Sequence, residues 1–89
     1  MSPNHLADPD IFAVLGDARR RRILELLAAR SLSVGEITAE LGISQPSVTQ
    51  HLSALREVGL VSSVKQGTSS IYSLQRAAFA AVTGWIESL

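Results

Sequence analysis

The sequence has 89 residues, no cysteine, 46% hydrophobic residues and a formal net charge of zero. That length allows one small domain, and the lack of cysteine excludes disulfides, thiolate metal sites and thiol redox sensing. A domain of this size hides only about two-thirds of its unfolded surface, so the apolar share predicts faces that a second copy must cover.

Taken in order, the first ten residues, MSPNHLADPD, are polar and acidic, unlike a secretion signal, and no apolar run approaches a membrane span. A cytoplasmic location is expected. Residues 1–8 read as a disordered N-terminus and residues 9–89 as a single domain. Beyond Pro9, the segment Asp10 to Leu15 forms a short helix with Ile11, Phe12 and Leu15 on one side, and Gly16 ends it. Asp17 caps a second helix from Ala18 to about Ala29, in which Ile23, Leu24, Leu26 and Leu27 are core candidates. Arg19 to Arg22 crowd its N-terminus, where cations oppose the helix dipole. Arg20 falls on the inner flank and is expected to snorkel or to pair with a carboxylate. Arg21 points outward, one turn from Glu25. Ser31-Leu32-Ser33 reads as a connector.

The segment Val34 to Leu60, VGEITAELGISQPSVTQHLSALREVGL, organises the chain. It reads as two short helices joined by Gly42-Ile43-Ser44. Glycine leaves a helix through a left-handed conformation without steric cost. Ser44 is a good N-cap, and Pro46 is tolerated because it falls in the first turn. Val48, Leu52 and Leu55 recur at i, i+4 and i+7 and make one apolar stripe. Ile37 and Leu41 give the first helix a matching stripe, and Ile43 plugs the turn. The opposite face of the second helix carries Pro46, Ser47, Gln50, Ser53 and Glu57. A merely solvated face usually carries Lys and Glu, which favour helix. Ser, Gln, Thr and Pro are poorer helix formers that contact base edges well, so the pattern is that of a helix-turn-helix whose second helix enters the DNA major groove.

Beyond Gly59, Leu60 to Val64 and Ser69 to Ser73 read as two strands of a hairpin around Gln66-Gly67-Thr68. Leu74 to Leu89 reads as a final helix, with Ala78, Val82, Trp85 and Leu89 in one stripe widened by Phe79 and Ile86. The fold class expected is therefore mainly α with a small β-hairpin wing.

This element order and its residues resemble the ArsR/SmtB family of bacterial repressors over roughly Ile11 to Leu89. FAVLGDARRRRILELL matches a Leu-(Gly/Ser)-Asp-Pro-x-Arg-x-x-Ile-Leu pattern, EITAELGISQPSVTQHLSALREVGLV is close to the family's signature, and Gly67 with Tyr72-Ser73-Leu74 closes the wing. The resemblance implies a winged helix-turn-helix homodimer, joined through its first and last helices and bound to an imperfect inverted repeat. Ala18 stands where the family usually has proline. Ser33-Val34-Gly35-Glu36-Ile37 lacks the Cys-Val-Cys-type motif of metal-sensing members, and the last helix has neither His nor Asp. The wing lacks the arginines common in relatives. Metal sensing is not carried over, and no cofactor is expected.

Gln50 is the best candidate base reader, because a glutamine bonds adenine N6 and N7 together. Ser44, Gln45, Pro46, Ser47, Thr49, His51 and Ser53 join it as DNA-facing candidates, and Pro46 suits a thymine methyl. Arg56, Lys65 and Thr68 are candidates on the last turn and the wing, the two cations for phosphate. His51 lies beside the apolar stripe, where packing or a phosphate bond suits it better than metal ligation. His5 with Asp8 and Asp10 has no spacing that specifies a metal geometry. Ile11, Phe12, Leu15, Val82, Trp85, Ile86 and Leu89 are the expected dimer interface. No nucleophile has a histidine–carboxylate context, so an enzyme is not expected. Only Arg56, Glu57 and Lys65 are charged between Ser44 and Leu74. DNA-binding domains are usually basic, so the competing expectation is a winged helix that docks a protein partner. The expected function is a DNA-binding repressor with double-stranded DNA and a second copy as partners.

Overall fold

The computed structural model describes residues 10–89. The expected disorder of residues 1–8 and the His5 and Asp8 positions lie outside the described residues. The elements run α1 (Ile11–Leu15), α2 (Ala18–Ala29), β1 (Leu32–Ser33), α3 (Val34–Leu41), α4 (Gln45–Glu57), β2 (Val61–Gln66), β3 (Ser69–Leu74), a 3-10 turn (Arg76–Phe79) and α5 (Ala80–Glu87).

Local chemistry sets the helix starts. The Asp10 carboxylate accepts from the Ala13 N–H at 2.9 Å. Asp17 accepts from the N–H groups of Arg19 and Arg20. Ser33 and Glu36 form a reciprocal capping box: the Glu36 N–H donates to Ser33 Oγ and the Ser33 N–H to Glu36 Oε1. Each cap satisfies donors that a helix start otherwise leaves open.

Glycine sets two of the ends. Gly42 closes α3 in the left-handed region at φ 67°, and its N–H donates to the Thr38 carbonyl. Gly59, at φ 78°, follows α4. The Leu60 N–H then reaches back to the Leu55 carbonyl at 3.0 Å, the 6→1 bond of a Schellman ending. That turn carries Leu60 into the core, where it is fully buried.

The core joins Val14 of α1, Ile23, Leu24 and Leu27 of α2, Leu32, Ile37 of α3, Val48, Leu52 and Leu55 of α4, and Leu60 and Val61. Three positions expected to face inward sit at its edge instead: Leu26, Leu41 and Ile43 are half-buried.

Three parts of the fold depart from the sequence-based expectations. Leu32 and Ser33 are a short edge strand rather than a connector, pairing antiparallel with Tyr72 and Ile71 in a sheet ordered β1-β3-β2. The hairpin is longer than expected, with Val61 opposite Leu74 and Gln66 opposite Ser69, leaving Gly67 and Thr68 as a two-residue turn. The final helix begins later than Leu74. Leu74 belongs to β3, Gln75 is extended, and Arg76–Phe79 wind as a 3-10 turn before α5. The cause is tertiary: Gln75 N–H donates to the Leu60 carbonyl and its side chain to Ser62 Oγ, holding it to the root of the wing.

Candidate nucleic-acid interface

Helix α4 turns a completely buried edge inward: Val48, Leu52 and Leu55 are each 0% exposed. Since 3.6 residues make a turn, that fixes which side chains face out. Gln45, Pro46, Thr49, Gln50, Ser53 and Arg56 are exposed. The structure thus brings these six candidates to one face, anchored from behind by the core.

The remaining candidates differ in what they are free to do. Ser44 is exposed, but its Oγ caps α4 by accepting from the Ser47 N–H at 3.3 Å and lies 2.9 Å from Ser47 Oγ. Ser47 is half-buried. These two hydroxyls therefore serve the helix start. Lys65 and Thr68 are exposed on the wing. Thr68 shares a polar cleft of about 340 Å³ with Gln45, Ser69 and Ser70 and with Ser33 and Gly35 at the start of α3. The cleft separates wing from helix-turn-helix and unites Gln45 with Thr68; Lys65 does not line it.

Pairings on α2 also differ from expectation. Arg22, not Arg21, meets Glu25, at 3.5 Å between exposed side chains. Such a pair contributes at most about 1 kcal/mol. Arg21 instead turns back, its Nη1 donating to the Leu15 carbonyl at 2.7 Å and tying α2 to the end of α1. Among the described residues Arg20 does not pair with a carboxylate side chain in a hydrogen bond. Its Nε–H donates to Nδ1 of His51 on α4 at 3.2 Å. The sequence marked both residues as lying beside apolar stripes, but nothing local joins positions so far apart in the chain.

Two carboxylates are held below their ordinary range. Slight desolvation pushes Asp17 up, but the Arg19 and Arg20 N–H bonds, together with the nearby Arg20 charge, outweigh it. For Glu36 the Ser33 N–H is the main cause, with smaller help from the Ser33 hydroxyl and from Arg30, against desolvation. Both depressions are consequences of helix caps.

Where α1 meets α5, expected dimer residues also gather. Phe12 and Trp85 meet edge to face with ring centroids 5.5 Å apart. They remain 46% and 53% exposed, Ile86 is 56% exposed and Leu89 is 85% exposed. Ile11, Leu15 and Val82 are half-buried beside them. Helix α1 turns Val14 inward, which leaves Phe12 on the surface. Among the described residues no group of three or more His, Cys, Asp and Glu is placed to hold a metal ion.

Residues 17–63, from the α2 cap through the helix-turn-helix to the first wing strand, match the model of the bacterial regulatory protein, arsR family. The chain belongs to that family. Its relatives include the transcriptional repressor SdpR of Bacillus subtilis, 30% identical over 77 residues covering 86% of each chain. The HTH-type transcriptional regulator KmtR of Mycobacterium tuberculosis is 41% identical over 66 residues, 74% of this chain and 51% of KmtR. The chain therefore spans about half of KmtR's length. The solved structure of HlyU from Vibrio cholerae superposes with a TM-score of 0.75 at 31% identity, covering 99% of this chain and 96% of HlyU. The arsR-family relatives are transcriptional regulators rather than enzymes. The fold shared with HlyU is mainly helical with a small antiparallel sheet as the wing.

Proposed function

We propose that the protein is a DNA-binding transcriptional regulator that works as a homodimeric repressor. It occupies an inverted-repeat operator and thereby blocks access to the promoter. One observation carries the reading: α4 spends its whole inner edge on the core and offers Gln45, Pro46, Thr49, Gln50 and Ser53 to the outside. A helix held so firmly, with side chains suited to base edges, is built to enter a major groove. SdpR's description as a repressor supports the direction of regulation.

In this reading Gln50 reads a base, Pro46, Thr49 and Ser53 line the groove floor, and Arg56 and Lys65 neutralise phosphates. Ser44 and Ser47 fix the start of α4, and Gln45 with Thr68 border the cleft between wing and reading helix. Residues 9–89 act as one domain. The dimer forms through the apolar face of α1 and α5 and sets two reading helices one helical turn of DNA apart. Without cysteine, DNA release by a thiophilic metal or an oxidant is not expected.

The test is a gel shift of the purified protein on the DNA upstream of its own gene at two salt concentrations. A retarded complex that weakens steeply with salt is expected. No complex at low salt, while the protein captures a protein partner, would favour the docking alternative suggested by the zero net charge. Release of the complex by sub-micromolar zinc or by peroxide would overturn the metal-free, redox-free part of the proposal.

A further inference from the structure

The reading surface of α4 is nearly uncharged, yet affinity for DNA rests mainly on phosphate contacts. Arg20 bears on that difficulty. It belongs to the first turn of α2, but its Nε–H reaches across to Nδ1 of His51 in the middle of α4. Nδ1 accepts that bond, so it carries no proton, and the ring proton of the neutral imidazole sits on Nε2. Among the described residues no side-chain nitrogen or oxygen is both buried and without a hydrogen-bond partner. His51 is half-buried, and its only hydrogen bond among those residues is at Nδ1. Nε2 therefore reaches solvent. The same holds for the guanidinium nitrogens of Arg20 beyond Nε, since that residue is also half-buried.

We propose that Arg20 and His51 form one phosphate-binding unit at the flank of the recognition helix. Arg20 is the positioning residue: it fixes the ring and its tautomer, so that Nε2–H donates to a backbone phosphate beside the groove that α4 enters. The guanidinium places a positive charge next to a helix whose only own cation is Arg56. Asp17 sits behind the pair. Its carboxylate accepts from the Arg20 backbone N–H. The unit thus ties the α2 cap, α2 and α4 together, and the orientation of the reading helix and its phosphate contact are set by the same bond. This inference rests on α4 being the DNA-facing helix.

The experiment measures binding isotherms on a duplex that the wild-type protein has selected from a random-sequence library. It compares Arg20→Ala, His51→Ala, the double variant, His51→Asn, His51→Gln and, as a control, Gln50→Ala. Each alanine change is expected to weaken binding about tenfold, as for a hydrogen bond to a charged group. The double variant should lose little more, because both residues serve one contact. Asparagine keeps an acceptor near the Nδ1 position but has no distal N–H. His51→Asn should therefore bind as poorly as His51→Ala while melting like wild type. His51→Gln, which places an N–H near the Nε2 position, should recover most of the affinity.

A purely structural role would make affinity follow melting temperature across the series. Wild-type affinity in His51→Asn, or losses that multiply in the double variant, would overturn the proposal. If Gln50→Ala weakens binding while the Arg20 and His51 changes do not, the phosphate unit fails and the reading of α4 stands. If the wild type selects no duplex, both fail.

Discussion

Helices α4 and α5 are both amphipathic, but the protomer finishes only one of them. The inner stripe of α4 is wholly buried, so what remains outside is polar and available. Helix α5 is the more apolar of the two, yet contains no fully buried residue, and Trp85, Ile86 and Leu89 are largely exposed around it. A face left polar after its helix has been anchored suits a polar ligand such as DNA. A face left apolar suits a second copy of the chain, because large exposed apolar patches rarely persist on monomers. In the proposed assembly the two surfaces therefore meet different partners.

The most damaging way to disturb this contrast is to remove the anchor. Leu52→Ala empties a fully buried site and should cost roughly 2–5 kcal/mol of stability in urea unfolding. A loss under about 1 kcal/mol would mean that α4 is not held as described.

Trp85→Ala should act elsewhere. Because Trp85 is half exposed and packs edge to face on Phe12, it should weaken dimerisation by roughly 2–4 kcal/mol, as an interface anchor does. Sedimentation equilibrium would show the shift to monomer, while the secondary structure seen by circular dichroism stays. A wild-type protein that is monomeric at micromolar concentration would remove the dimer from the account.

On the polar face the effects are smaller and of two kinds. Gln50→Ala should relax base preference at one position in each half-site, costing about 1–3 kcal/mol there. Arg56→Ala should weaken all duplexes alike and flatten the salt dependence. Competition with single-base variants of the selected duplex separates the two.

The smallest effects belong to the caps. Ser33→Ala should cost about 1 kcal/mol by opening the capping box of α3. Asp17 and Glu36 are both depressed below their ordinary values of 3.8 and 4.5. A depressed carboxylate stabilises the fold fully above its unfolded value and loses that contribution as pH falls through the lower folded value. Thermal stability should therefore be flat in these groups above about pH 5 and decline in more acid solution. Asp17→Asn and Glu36→Gln should each make that decline shallower.

Much of the helical framework was legible in the sequence because its boundaries are written locally. Asp17, Gly42, Ser44 and Pro46 act on residues within one turn, and the spacing of Val48, Leu52 and Leu55 gives the buried face directly. What escaped is what the tertiary fold imposes. The two-residue strand Leu32–Ser33 has no pattern of its own and exists only because β3 lies beside it. The stripe from Ala78 to Leu89 does not reveal that Leu74 is drawn into the sheet and Gln75 fastened to Leu60.

The candidate site divides in the same way. Periodicity placed the outward residues of α4, and surplus hydrophobicity placed those of α1 and α5. It did not show that the Ser44 and Ser47 hydroxyls are taken up by the cap. Nor did it pair Arg20 with His51, since arginine's long side chain leaves its partner open until the helices are packed. The spacing of Arg21 and Glu25 likewise does not give the ion pair: Arg22 takes Glu25, and Arg21 is drawn to the end of α1.

The central claim is that the outer face of α4 reads DNA. Its most direct test is the affinity of wild type and Gln50→Ala for the selected duplex, measured side by side with a scrambled duplex at one salt concentration. The account predicts that the wild type prefers the selected duplex and that the variant loses most of that preference while keeping its fold and its affinity for scrambled DNA. Equal affinity of the wild type for both duplexes, or an unchanged preference in the variant, would contradict it.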